Sequence, residues 1–68
     1  MTLDQWLRHS QLPRLEARML LQHAGGYSRV QLVTQGADPL PEAVAAQLDI
    51  LQARRLKGEP MAYILGGR

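Results

Sequence analysis

The residues able to do acid–base or metal chemistry are few and scattered in this chain. There is no cysteine, which excludes both a disulfide and a thiolate metal site. The two histidines, His9 and His23, fall on different predicted helices, and no two of the six acidic residues have the surroundings of an active-site pair. We therefore predict no catalytic residue and no metal ligand here.

Cofactor and nucleotide motifs are also missing. The sequence has no Ser-His-Asp set, no HExxH and no phosphate-binding GxxxxGK[ST]. Gly25-Gly26 and Gly66-Gly67 are isolated pairs, and neither forms the GxGxxG that follows a strand in dinucleotide-binding folds. We predict no cofactor-binding residue.

Basic residues are the remaining candidates for a function. Arg54, Arg55 and Lys57 crowd the end of a predicted helix, where cations complement the negative end of the helix dipole. The same trio is a candidate patch for a phosphate or a partner. The net charge is only +2, and the pI near 9.7 reflects a small excess of arginine, so charge alone does not indicate a nucleic-acid partner.

The composition predicts one small helical domain. The chain has 68 residues, of which 46% are hydrophobic and 21% charged, as in ordinary globular domains. Phenylalanine is absent, so the core must be mainly aliphatic, which suits helix packing. No apolar run approaches the ~20 residues of a membrane span, and the N-terminus does not resemble a signal peptide. We expect a soluble, cytoplasmic monomer.

The first helix is indicated by its start signal. Thr2 and Gln5 have the spacing of a capping box, which predicts a helix over residues 3–10. Trp6 is the largest apolar side chain available and is expected to anchor the core.

The next two helices also have start and stop signals. Pro13 suits the first turn of a second helix, which Gly25-Gly26 ends, one of them being left-handed. Ser28 and Gln31 repeat the capping-box spacing and predict a short third helix from about Arg29 to Thr34, for which a strand is the alternative. The apolar face of the second helix is predicted to comprise Leu15, Ala17, Met19, Leu20, Leu21 and Ala24.

The fourth helix is predicted to open at Leu40-Pro41-Glu42, with Pro41 in its first turn, and to end near Leu56 or Lys57, before Gly58. Its predicted core row is Val44, Leu48, Leu51 and Arg55, flanked by Leu40, Ala45 and Ile50. Pro60 begins a last short apolar helix over Met61–Leu65, ended by Gly66-Gly67. The fold class is therefore all-α, a four- to five-helix bundle without a sheet.

The end of the chain resembles a known family. Arg54-Arg55 through Gly58-Glu59-Pro60-Met61-Ala62-Tyr63-Ile64-Leu65-Gly66 is similar to the N-terminal domain of the HemK/PrmC family, the glutamine-N5 methyltransferases of peptide chain release factors. The segment Glu16–His23 of the second helix agrees with the same family. The Gly-Glu-Pro step is the most specific part of this resemblance.

The resemblance implies an accessory domain rather than the enzyme itself. Family members use S-adenosylmethionine to methylate the glutamine of the Gly-Gly-Gln motif in class 1 release factors. Their cofactor loop and Asn-Pro-Pro-Tyr motif belong to a C-terminal methyltransferase domain, and neither occurs in residues 1–68. The chain is thus expected to be a single N-terminal domain that recognises release factors, with a catalytic domain following it.

Four residues are candidate contacts to the release factor or to that catalytic domain: Arg54, Arg55, Met61 and Tyr63. Two alternative hypotheses of function remain. In one, the chain is a small nucleic-acid- or protein-interaction module that uses the basic trio together with Arg14 and Arg18. In the other, the bundle only packs against its own enzyme domain and stabilises it.

Overall fold

Residues 1–66 are described by a computed structural model and form five α-helices with no sheet, so the predicted all-α bundle is confirmed. The helices are α1 (Leu3–His9), α2 (Arg14–Gly25), α3 (Arg29–Thr34), α4 (Glu42–Leu56) and α5 (Met61–Gly66). Gly66 belongs to α5, and Gly67, the other half of the predicted stop, lies outside the described residues. None of these helices has the length and apolar character that crossing a bilayer requires.

Both predicted capping boxes are confirmed. The Thr2 hydroxyl accepts the Gln5 N–H at 3.1 Å, and the Thr2 N–H donates to the Gln5 side chain at 2.8 Å. Ser28 and Gln31 make the same two bonds at 3.1 and 2.7 Å. Two amide donors at each helix start are thereby satisfied, which fixes α3 as a helix and excludes the strand alternative.

The prolines lie one position earlier than predicted. Pro13 and Pro41 precede α2 and α4 with ψ of 147° and 143°, which is extended rather than helical backbone. Their carbonyls accept the first helical hydrogen bonds, from Ala17 and Ala45, at 2.9 Å each. Each proline therefore directs the chain into its helix without joining the first turn.

The core forms where α2 packs against α4, with α1 resting on α2 and α5 on both α2 and α4. Trp6 is 7% exposed, as its predicted anchoring role requires. The buried apolar side chains are Leu3, Trp6, Leu7, Ala17, Leu20, Leu21, Leu32, Leu48, Leu51 and Ile64.

Two residues predicted to lie in or beside this core lie on the surface instead. Leu15 is 68% exposed and Ile50 is 63% exposed. The buried residues of α2, Ala17, Leu20 and Leu21, share one side of the helix, and Leu15 projects from the opposite side because successive residues turn by about 100°. The apolar stripe of α2 is therefore narrower than its composition suggested.

The N-terminal segment is tied to the loop between α3 and α4, a contact that sequence reasoning did not predict. Thr2 and Pro39 form an isolated antiparallel bridge. The Leu3 N–H donates to the Asp38 carbonyl at 3.2 Å, and the Leu40 N–H donates to the Met1 carbonyl at 2.8 Å. These bonds hold the start of α1 close to the entry of α4.

Candidate functional site

The Gly-Glu-Pro step that follows α4 is a structural corner. Gly58 has φ of +99°, a region that side-chain-bearing residues rarely adopt. The Gly58 N–H donates to the Arg55 carbonyl at 3.0 Å, and the Glu59 N–H donates to the Arg54 carbonyl at 3.3 Å. This pair of bonds is a Schellman motif, which satisfies carbonyls that the helix end would leave unpaired. The Pro60 carbonyl then accepts hydrogen bonds from the N–H groups of Tyr63 and Ile64 at the start of α5.

Replacing Gly58 with alanine is expected to lower the free energy of unfolding by about 1–2 kcal/mol, because a Cβ atom strains this positive φ. No neighbouring atom would clash with the added methyl group, so the loss would report backbone strain alone. Urea unfolding followed by circular dichroism measures it. An unchanged midpoint would show that the corner tolerates another backbone conformation.

Arg54 and Glu59 form an ion pair across this corner. The Arg54 Nε donates to Glu59 Oε2 at 2.7 Å, and Arg54 Nη2 donates to Glu59 Oε1 at 3.4 Å. The two side chains are 40% and 42% exposed, so solvent screens the pair. The hydrogen bond from Arg54 lowers the pKa of the Glu59 carboxyl, and the same bond raises the pKa of Arg54.

This shift predicts a pH-dependent contribution of Glu59 to stability. Because the folded state lowers the pKa of Glu59, its stabilisation is complete above the ordinary glutamate range and is lost as the pH falls through that range and below. Wild type is therefore expected to exceed Glu59→Gln in unfolding midpoint at neutral pH, with the difference vanishing in strong acid. Urea titrations across this range measure it. A difference that grew toward low pH would contradict the assigned pair.

Arg55 ties α4 to α2. Its Nε donates to Glu16 Oε1 at 2.6 Å, and its Nη1 donates to the Glu59 backbone carbonyl at 3.2 Å. The Arg55 and Glu16 side chains are 31% and 24% exposed, so this pair is better shielded than the Arg54–Glu59 pair. Arg55 thus joins three separate parts of the chain, which explains its place in the predicted core row of α4.

The other two candidate contact residues lie on α5 and differ in their surroundings. Met61 is partly buried and packs against the core, whereas Tyr63 is 57% exposed. Ile64 is the buried residue of this helix. Met61 and Ile64 therefore pack against the core, and Tyr63 is the largest solvent-facing side chain of α5.

A second surface, formed by α1, α2 and α3, contains two adjacent clefts. One has a volume of about 280 Å³ and is lined by Asp4, Leu7, Arg14, Arg18, Leu32 and Val33. The other has a volume of about 220 Å³ and is lined by Leu15, Arg18, Met19, Gln22 and Arg29. Arg18 borders both clefts. We call this surface the α2–α3 face. Arg14 and Arg18 of this face are the two arginines that the alternative nucleic-acid- or protein-interaction module adds to the basic trio.

Within residues 1–66, no three His, Asp or Glu side chains are grouped to hold a metal ion. S-adenosylmethionine carries a cationic sulfonium and an ammonium group beside one carboxylate, whereas the two clefts are lined by three arginines and one acidic side chain, Asp4. The excess of like charge opposes its binding, so the residues of these clefts do not fit this cofactor.

Comparison with known proteins identifies the family of this chain. A sequence model described as the PrmC N-terminal domain matches residues 4–66. The chain belongs to the PrmC N-terminal domain family. It is 54% identical over its full length to the release factor glutamine methyltransferase of Neisseria gonorrhoeae, 49% identical over 98% of its length to that of Burkholderia pseudomallei, and 36% identical over its full length to that of Escherichia coli.

The matches cover only part of each relative. This chain spans about a quarter of the length of these methyltransferases: 25%, 24% and 27% respectively. No solved structure gave a significant match. The residues that carry the family resemblance, Arg54, Arg55 and the Gly58-Glu59-Pro60 step, are those that build the corner between α4 and α5.

Proposed function

We propose that this domain is the substrate-recognition domain of a release factor glutamine methyltransferase. The observation that carries the proposal is the match of residues 4–66 to the PrmC N-terminal domain, together with relatives named for that activity. The α2–α3 face supports it, because exposed arginine and aliphatic side chains occur there together, as in protein-binding surfaces.

In this proposal the chemistry belongs to a separate methyltransferase domain. That domain would bind S-adenosylmethionine and transfer its methyl group to the glutamine of the Gly-Gly-Gln motif in class 1 release factors. Residues 1–66 would hold the protein substrate, acting as a cytoplasmic monomeric unit. The catalytic domain would contact this domain at and beside α5. The contacting side chains would be exposed Tyr63, half-buried Met61 and the solvent-facing parts of Arg54 and Arg55.

The nucleic-acid alternative has less support. It uses Arg54, Arg55 and Lys57 together with Arg14 and Arg18. Two of these five, Arg54 and Arg55, are already hydrogen-bonded to Glu59 or Glu16. A phosphate bound there would compete with the carboxylates of Glu59 and Glu16 for these two guanidinium groups. Neither cleft of the α2–α3 face is lined by an aromatic side chain on which a base could stack.

Isothermal titration tests the proposed function. The 68-residue chain is expected to bind a purified class 1 release factor and to give no heat of binding with S-adenosylmethionine. Tight binding of the cofactor without detectable binding of the release factor would contradict the proposal. Titration with a single-stranded RNA at low and moderate salt separates the nucleic-acid alternative, whose affinity would fall steeply with salt.

A further inference from the structure

We infer that the α2–α3 face is the docking surface for the protein substrate, and that it takes a segment bearing carboxylates beside aliphatic side chains. This inference rests on the proposed function and assigns its contact to one side of the bundle. The surface is defined by Arg14, Leu15, Arg18, Met19, Arg29 and Val33.

The arginines of this face differ from those at the end of α4. Arg54 and Arg55 are paired with Glu59 and Glu16. Within residues 1–66, Arg14, Arg18 and Arg29 make neither an ion pair nor a side-chain hydrogen bond. The one acidic side chain that lines the two clefts is Asp4. The face therefore keeps an excess of positive charge that the fold does not neutralise.

The placement of these arginines opposes helix stability. Arg14 is the first residue of α2, where the positive end of the helix dipole disfavours a cation. Arg14 and Arg18 are four residues apart on the same helix face, a spacing at which like charges repel. Neither electrostatic feature favours the isolated helix. A carboxylate-bearing partner would relieve both.

Exposed aliphatic side chains complete the surface. Leu15 is 68% exposed and Val33 is 79% exposed, and each lines a cleft next to an arginine. Arginine and methionine are enriched at protein interfaces, and the buried centre of an interface is more apolar than the rest of the surface. The partner that matches this pattern presents acidic groups spaced among aliphatic ones.

A protein segment fits this face better than RNA does. Binding to RNA draws on stacking platforms and a dense row of cations, and the two clefts are lined instead by aliphatic groups, three arginines and one carboxylate. The occupant is therefore the protein substrate of the proposed function.

Two pairs of variants test this assignment in the 68-residue chain, with a purified class 1 release factor as the probe. Arg18→Glu reverses the charge shared by both clefts, and Arg8→Glu makes the same charge change on exposed Arg8 of α1, which lines neither cleft. Leu15→Ala shortens an exposed aliphatic side chain of the α2–α3 face, and Ile50→Ala shortens a comparably exposed side chain on α4. Circular dichroism first verifies that all four variants are folded.

Arg18→Glu is expected to weaken binding at least about tenfold and Leu15→Ala several-fold, while Arg8→Glu and Ile50→Ala stay within about twofold of wild type. If wild type binds and all four variants bind equally, the docking face is wrong and the proposed function stands. If wild type does not bind the release factor, the proposed function fails and the inference fails with it. RNA binding that is lost in Arg18→Glu, without release-factor binding, also overturns the inference.

Discussion

Replacing Leu48 with alanine is expected to lower the free energy of unfolding by about 3 kcal/mol, since large-to-small substitutions at buried leucines cost 2–5 kcal/mol. Leu48 is fully buried on α4, where that helix packs against α2. A domain of this length has a total stability of roughly 3–10 kcal/mol. The substitution is therefore expected to remove about a third or more of the total stability, which urea and thermal unfolding would show as a clearly lower midpoint.

Ile50→Ala is the matched control for this substitution. Ile50 lies two residues further along α4 and is 63% exposed, so its truncation is expected to change stability by less than about 0.5 kcal/mol. Equal losses at the two positions would mean that α4 is rotated about its axis relative to the arrangement described here.

Replacing Ile64 with alanine is expected to cost about 2 kcal/mol and to release α5 from the bundle. Ile64 is 4% exposed and is the buried residue of this six-residue helix, which is too short to be stable without packing. Amide hydrogen exchange measures the effect locally. The Ile64 N–H, bonded to the Pro60 carbonyl at 3.2 Å, should lose protection before the amides of α2 do.

Tyr63→Ala on the same helix separates packing from interdomain contact. Tyr63 is 57% exposed, so the substitution is expected to leave the stability of the 68-residue chain nearly unchanged. Its effect should appear only where a catalytic domain is attached. A large loss of stability in the isolated chain would instead place Tyr63 in the core.

The features predicted correctly from sequence depend on neighbouring residues. Each capping box joins residues three positions apart, and the stop at Gly58 depends on one local dihedral angle. Such signals act before any tertiary contact forms, so a sequence pattern is enough to predict them. The helix bounds agree to within a residue or two for the same reason.

The features that sequence reasoning missed depend on residues far apart in the chain. Arg55 meets Glu16 across 39 positions, and Ser10 donates to Gln52 across 42. Nothing local in α2 or α4 shows that their charged residues meet. From the sequence, the helix dipole alone explains why Arg55 lies at the end of α4. Its specific partner, Glu16, becomes apparent only when α4 packs on α2.

The exposure of Leu15 was missed for a related reason. Apolar residues occur on several sides of α2, and composition cannot decide which side faces the core. Burial of Ala17, Leu20 and Leu21 settles that orientation and leaves Leu15 outside, beside Arg18. The residue that departs from the predicted core is thus part of the proposed docking face.

In the proposed function this domain supplies recognition while another domain supplies the chemistry. Methyl transfer by the Neisseria gonorrhoeae relative tests it directly, with its matching N-terminal region intact, deleted, or replaced by residues 1–66 of this chain. Two substrates are compared: an intact class 1 release factor and a short peptide that spans the Gly-Gly-Gln motif.

Deletion is expected to raise KM for the intact factor at least about tenfold while the peptide is methylated at an unchanged rate, and replacement by this chain should restore KM. Loss of kcat on both substrates alike, or an unchanged KM for the intact factor, would contradict the account.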